Sequence, residues 1–166
     1  MNSPADKGDA VNNGASTEKL REKIAAHPFL QGLKPEQIGV LADNAMRTHY
    51  QTGELIFRQG DPANRFYLIE RGKVALEAHQ KEGLPINLQV IHAGDVLGWS
   101  WLFPPYYWNF DARSLEPTDA IFFYGTRLRD RCEEDHELGY ELMKRMSAVV
   151  IDRLQKTRKR LLNPGS

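Results

Sequence analysis

Gly94-Asp95-Val96-Leu97-Gly98-Trp99-Ser100-Trp101-Leu102-Phe103-Pro104-Pro105-Tyr106-Tyr107-Trp108-Asn109-Phe110-Asp111-Ala112-Arg113 is the run around which this chain is read. It leaves a strand expected at Leu88 to Ile91 through a glycine-bounded turn. It then places seven aromatic side chains within the twelve positions from Trp99 to Phe110. Neither a regular strand nor a helix is written this way. Paired prolines remove two backbone donors and push the preceding residues towards extended geometry, so a helical turn should not pass Phe103. Gly98 has no Cβ, which lets a ligand or another chain segment come close. The expected geometry is a tight turn, one helical turn with free amides at its start, and an aromatic lid: the wall of a pocket.

Outward from this run the sequence divides by its period. Residues 1–15 are small and polar and are expected to form a flexible tail. Leu20, Ile24 and Phe29 mark a first helix capped near Ser16 or Thr17. Ile38, Leu41, Ala42 and Ala45 mark a second, from Lys34-Pro35 to about Arg47. From Thr48 short strands are expected at Tyr50 to Phe57, Phe66 to Ile69, Lys73 to Ala78 and Ile86 to Ile91. After the aromatic run they continue at Ala112 to Leu115 and Ala120 to Tyr124. Glycine-bearing turns separate them, with the proline turn Glu116-Pro117-Thr118-Asp119 between the last two, a pattern of antiparallel sandwiches or barrels. Thr126 caps a short helix ending near Cys132. The run 135–162 is then one long helix, its apolar stripe formed by Leu138, Leu142, Met146, Val149, Val150, Leu154 and Leu161. The stripe outruns a small domain, so Leu142, Met146, Val149, Val150 and Leu154 are expected to pair with a second copy in a homodimer; the alternative is that the first half of the helix packs on its own barrel and the second half is a solvated end. Residues 16–134 thus hold two helices and the β-region, 135–162 the dimerisation or lid helix, and 163–166 a tail.

Three blocks then stand in a recognisable order: Thr52-Gly53-Glu54-Leu55-Ile56-Phe57-Arg58-Gln59-Gly60-Asp61, Phe66-Tyr67-Leu68-Ile69-Glu70-Arg71-Gly72-Lys73-Val74, and Val90-Ile91-His92-Ala93-Gly94-Asp95-Val96-Leu97-Gly98. Together they resemble the cyclic nucleotide-binding domain of the catabolite-activator and cyclic-nucleotide-dependent kinase superfamily, over roughly Phe29 to Leu161. The resemblance implies a mainly β fold with flanking helices. Specifically, it implies an eight-stranded jelly-roll, cupin-like barrel, N-terminal helices, a phosphate-binding cassette after Gly98 and a long C-terminal helix that covers the pocket. Asp61 and Asp95 read as turn-stabilising residues.

The family pattern breaks inside the cassette. Nucleotide-binding members carry a Glu after the cassette glycine to hold the ribose, and further on an Arg that pairs with the cyclic phosphate. Here Trp99 and Trp108 stand in those places. A buried phosphate without its guanidinium loses ~1.5–3 kcal/mol. Adding the missing ribose acceptor weakens binding by roughly two to four decades. Cyclic AMP binding of the usual kind is therefore not expected. Three compensations remain open. Arg113 can turn inward, unless it pairs with a carboxylate such as Asp111. The amides of Ser100 to Leu102 can meet an anion. The indoles of Trp99, Trp101 and Trp108, with Tyr107 beside them, can stack on a purine, as in a cyclic nucleotide, or on another flat anionic ligand. Against all three stands the reading in which these rings fill the interior themselves. No cofactor is otherwise expected.

Other chemistry is thin. Lys and Arg balance Asp and Glu at 22 each, so overall charge favours no partner class. Five scattered histidines lack metal-ligand spacing, the single Cys132 excludes a disulfide framework, and no catalytic motif is present. The basic stretch Arg153 to Arg160 can touch a phosphate backbone or a membrane surface, but reads first as a solvated helix end; no recognition helix follows it, so direct sequence-specific DNA binding is not expected. No membrane span or signal pattern is seen, and a cytoplasmic protein is expected. The expectation is a non-catalytic, stand-alone regulatory or sensor module. An assembly subunit with an aromatic-filled barrel is the first alternative, and a transcription regulator acting through a separate DNA-binding chain the second.

Overall fold

The computed structural model describes residues 8–165. Its elements are α1 (Gly8–Ala26), α2 (Pro35–Asp43), β1 (Ala45–Tyr50), β2 (Leu55–Phe57), β3 (Arg65–Arg71), β4 (Lys73–Ala78), β5 (Ile86–His92), β6 (Val96–Leu97), β7 (Asp111–Ser114), β8 (Thr118–Tyr124), α3 (Gly125–Glu134) and α4 (His136–Leu162). The eight strands form two four-stranded antiparallel sheets, ordered β1-β8-β3-β6 and β2-β7-β4-β5. The mainly β architecture with flanking helices is therefore present. Among the described residues the ladders join strands within each sheet, and the barrel wording goes further than this pairing.

Side-chain alternation explains the layering. On β3, Phe66 and Leu68 face one core cluster, with Ile24, Leu30, Leu41, Leu128, Leu138, Leu142 and Met146 of the helices. Tyr67 and Ile69 face a second cluster, with Val74, Leu76, Ile91 and Ala112 of the other sheet. The β8 strand alternates in the same way, Ile121 and Phe123 on one side, Ala120 and Phe122 on the other. A strand buried on both faces needs an unbroken apolar run, which Phe66-Tyr67-Leu68-Ile69 supplies. The order is thus helices, first sheet, second sheet.

The helices differ from the sequence expectation in instructive ways. The α1 helix reaches back to Gly8, well before the caps at Ser16 and Thr17, so residues 8–15 of the expected tail are helical; residues 1–7 lie outside the described chain. The α2 helix stops at Asp43 because Asn44 folds its amide back to Val40 O (2.8 Å) and its N–H to Leu41 O, and β1 begins at once. The strand expected at Tyr50 to Phe57 is two strands, β1 and β2, separated by a turn in which Glu54 accepts from the Gln51 N–H. Asp135 caps α4 by accepting from the amides of Glu137 and Leu138 (3.2 Å each).

The seam proposed for dimerisation is corrected most. Leu142 and Met146 are fully buried in their own subunit's helix-side cluster, with Val149 packed against it. They are core residues, unable to meet a second copy. Val150 is half-buried, and Leu154 is exposed.

Candidate functional site

Between β6 and β7 the chain makes turns and bends without the expected helical turn. The Leu102 N–H is spent on Trp99 O (3.1 Å) and Tyr106 N–H on Phe103 O (3.0 Å). Gly98 sits at φ 91°, a backbone region that favours glycine. A Cβ there would stand 2.7 Å from the Trp108 ring, so the absence of a side chain is used up by that indole.

Trp108 is 4 % exposed and stacks on Phe57, ring centroids 3.8 Å apart and planes 9° from parallel. Its backbone is clamped to the β2–β3 turn: its N–H donates to Asp61 O (3.0 Å) and its carbonyl accepts from Gly60 N–H (2.9 Å). Phe110 and Tyr67 complete an aromatic wall around Phe57. This group belongs to the cluster between the sheets. The residue that stands where the family carries its phosphate arginine is thus an anchored part of the intersheet core.

The other cassette residues separate. Trp101 is fully buried on the helix side, stacked on Phe66 at 4.8 Å. Its Nε1 has no hydrogen-bond partner among the described residues, while Arg129 donates to its carbonyl and lies over the Tyr106 ring at 4.1 Å. Trp99 is half-buried between the two clusters and packs against Phe110 at 5.1 Å. Ser100 is buried and accepts from Asn109 Nδ2 (3.1 Å). Tyr107 is 51 % exposed. The three indoles therefore do not converge on one ligand face. Leu102 instead lines a surface groove of about 540 Å³ with Tyr106, Arg129, Cys132, His136 and Tyr140.

Arg113 does not turn inward. It pairs across the sheet with Ala75, whereas its neighbour Ala112 pairs with Leu76 and lies in the intersheet cluster. Arg113 is therefore on the opposite, outer face of its sheet. There its Nε meets Glu77 (3.3 Å) and Nη1 donates to Gly53 O (2.9 Å). Asp111, the partner considered in the sequence, is engaged elsewhere. It is almost wholly buried, paired with His79, and accepts from the Gln59 N–H at 2.7 Å. Asp95 takes its expected turn role by accepting from His92 N–H (2.9 Å).

Sequence reasoning missed one charged residue. Arg153, read as part of a solvated tail, is 8 % exposed, and burial lowers its pKa. Its Nη2 donates to Val96 O (2.6 Å) on β6, an edge strand of the first sheet. Gln89 of β5, an edge strand of the second sheet, donates to Arg153 O (2.8 Å), and Arg160 donates to Asn87 O (2.8 Å). The C-terminal half of α4 thus spans both sheet edges beside the cassette. The signal for this was available only in three dimensions. Cys132 is half-buried, and burial pushes its thiol up to about 11, which keeps it protonated at neutral pH. Among the described residues there is no cluster that could hold a metal ion, and no helix is long and apolar enough to cross a membrane.

Comparison with known proteins gives a consistent picture. The family model described as the cyclic nucleotide-binding domain matches residues 47–135. A CRP-like cAMP-activated global transcriptional regulator of Mycobacterium tuberculosis is 24% identical over 142 residues, covering 86% of this chain and 62% of that protein. A cAMP-dependent protein kinase regulatory subunit of Dictyostelium discoideum is 39% identical over 84 residues, 49% of this chain and 25% of the subunit. The chain thus spans less than two thirds of these relatives. A solved cyclic nucleotide-binding protein of Geobacter metallireducens superposes with a TM-score of 0.72 at 29% identity, covering 84% of this chain and 98% of that one.

Proposed function

Because the chain belongs to the cyclic nucleotide-binding domain family, we propose that it is a regulatory module whose nucleotide site has been converted into core. The Trp108 ring seated on Gly98 and stacked on Phe57 carries this reading. A cyclic phosphate entering there would have to displace an indole that is 4 % exposed. Arg113, the candidate substitute for the missing guanidinium, would still be held on the outer face by Glu77 and Gly53 O. On the scale of a buried Phe or Trp truncated to Ala, the packing lost with such a ring is worth about 3–5 kcal/mol, which any contact with the ligand would have to offset. The module acts without catalysis, in the cytoplasm, as a jelly-roll body that presents a surface to a protein partner. It forms a homodimer through the outward face of α4, on which Tyr140, Met143, Ile151, Leu154 and Leu161 are exposed.

The test is native mass spectrometry of the purified chain. Its dimer mass should carry no retained small molecule. A stoichiometric nucleotide-sized adduct that leaves on denaturation would instead establish a sensor with an occupied site. The reading as an assembly subunit draws on the same filled core and exposed α4 face. It differs in having no state change, so proteolysis patterns identical with and without a captured partner favour it.

A further inference from the structure

A surface groove of about 640 Å³ lies between the edge strand β5 and the last turns of α4. Lys156, Lys159 and Arg160 line it from the helix and His92 from the strand; among the described residues no carboxylate does. Lys73, the cross-strand neighbour of His92, stands on the same face of the sheet. The surrounding carboxylates are turned elsewhere. Asp95 and Asp152 line a separate groove with Pro28 and Val149, and Glu77, opposite Asn87, is taken by Arg113 (3.3 Å). Asp152 does reach Lys156 at 3.0 Å, but Lys159 has no ion-pair partner among the described residues.

The strand itself holds this cluster in place. The register of β5 against β4 shifts between the pairs Leu76–Gln89 and Glu77–Asn87, so Leu88 is an extra residue, as in a β-bulge. Two successive carbonyls, Asn87 O and Leu88 O, thereby accept from Arg160 Nη1, the first at 2.8 Å. Both bonds use Nη1 alone, so the other edge of the guanidinium, Nη2 and Nε, keeps its donors for a further acceptor. Gln89 Nε2 ties the same stretch of helix to the same strand by donating to Arg153 O (2.8 Å) and Thr157 Oγ1 (3.2 Å). A guanidinium fixed in advance loses less side-chain entropy when it takes up an anion.

We propose that this groove binds a multiply charged phosphate group, carried by a small polyphosphate or by a phosphorylated lipid headgroup. Arg160 presents its fork to two phosphate oxygens, and Lys156 and Lys159 add point charges beside it. A cyclic nucleotide is the poorer match. It brings one phosphate charge, and among the described residues no aromatic ring lines the groove to stack on its base. The groove lies outside the intersheet core, so the proposal stands whether or not Trp108 fills the cassette. Being on the surface, it releases its anion on desalting, unlike a site enclosed in the core. An anion shared by β5 and α4 clamps the end of the helix to the second sheet. The regulatory module thereby gains an effector site apart from the family's nucleotide pocket.

Calorimetric titration of the unmodified chain with inorganic tripolyphosphate tests this, and one saturable site per chain is expected. Lys159→Glu and Arg158→Glu change the net charge equally, one residue apart, but only Lys159 lines the groove. Lys159→Glu should weaken uptake by about tenfold or more, and Arg158→Glu by less than about threefold. Circular dichroism checks that both variants fold. Flotation with phosphatidylcholine vesicles containing phosphatidylinositol bisphosphate separates the two sources. Vesicle binding that tripolyphosphate displaces assigns the lipid headgroup to the site. Tripolyphosphate uptake without displaceable vesicle binding assigns a free polyphosphate. Equal losses in the two variants would mean general attraction of anions to a basic helix end and would overturn the proposal. So would the absence of saturable heat with the unmodified chain.

Discussion

Replacing Gly98 by Ala measures directly how Trp108 fills the interior. The glycine has φ 91°, and an added Cβ would lie 2.7 Å and 2.8 Å from two carbons of the Trp108 ring. The left-handed backbone alone costs an L-residue about 1–2 kcal/mol. Pressing a methyl into a packed ring adds about 1–3 kcal/mol. Gly98→Ala should therefore destabilise by about 2–5 kcal/mol, a large share of the about 5–15 kcal/mol typical of a domain. In a Trp108→Leu background the ring is gone, and the same substitution should cost only the backbone strain. The coupling between the two sites is thus expected at about 1–3 kcal/mol. Urea unfolding of the four proteins, followed by circular dichroism, reads it out. If the two effects add to within about 0.5 kcal/mol, Trp108 does not rest on Gly98 and the filled-interior argument fails.

Three further outcomes are expected. Arg153→Ala removes a charged donor from Val96 O and should cost about 1.5–3 kcal/mol; faster amide exchange in β6 and the second half of α4, with α1 unchanged, would confirm its place as a tether. His27 accepts the Phe29 N–H at Nδ1 (3.2 Å) and its Nε2 lies 3.4 Å from Ile69 O, an arrangement that suits the neutral ring, and burial lowers its pKa. The unfolded chain therefore binds the proton more readily, so stability should fall as pH drops below about 6.5, and a His27→Asn variant with the same slope through that window would refute this. Met146→Lys puts a charge into the helix-side core and should lose the cooperative unfolding transition, while Leu154→Lys should stay folded and sediment as a monomer; a folded, monomeric Met146→Lys protein would reverse the assignment of the two stripes.

The sequence showed much of the frame and less of its facing. Lys73 to Ala78 is read from its period and its flanking glycine and is found with the same ends. Val96 and Leu97 escape notice because a two-residue strand has no period of its own; β6 exists only through its pairing with Tyr67 and Leu68. The long helix carries apolar residues on two sides, and a list of them does not say which side meets its own subunit. Thus Leu142 and Met146, read as interface residues, are buried in their own subunit, whereas Tyr140, Met143 and Leu154 are exposed. The facing of Arg113 is legible in the sequence. Its neighbour Ala112 is the small residue that fits an intersheet core, and strand alternation then sends Arg113 outward. Trp108 was recognised as the place where the family pattern fails, but that Phe57 stacks on it depends on a contact across fifty positions of chain.

The central claim is that a nucleotide site has become part of the core, and calorimetric titration of the unmodified chain with cyclic AMP tests it most directly. The account predicts no saturable heat up to millimolar nucleotide. Uptake of one cyclic AMP per chain with micromolar or tighter affinity would contradict it.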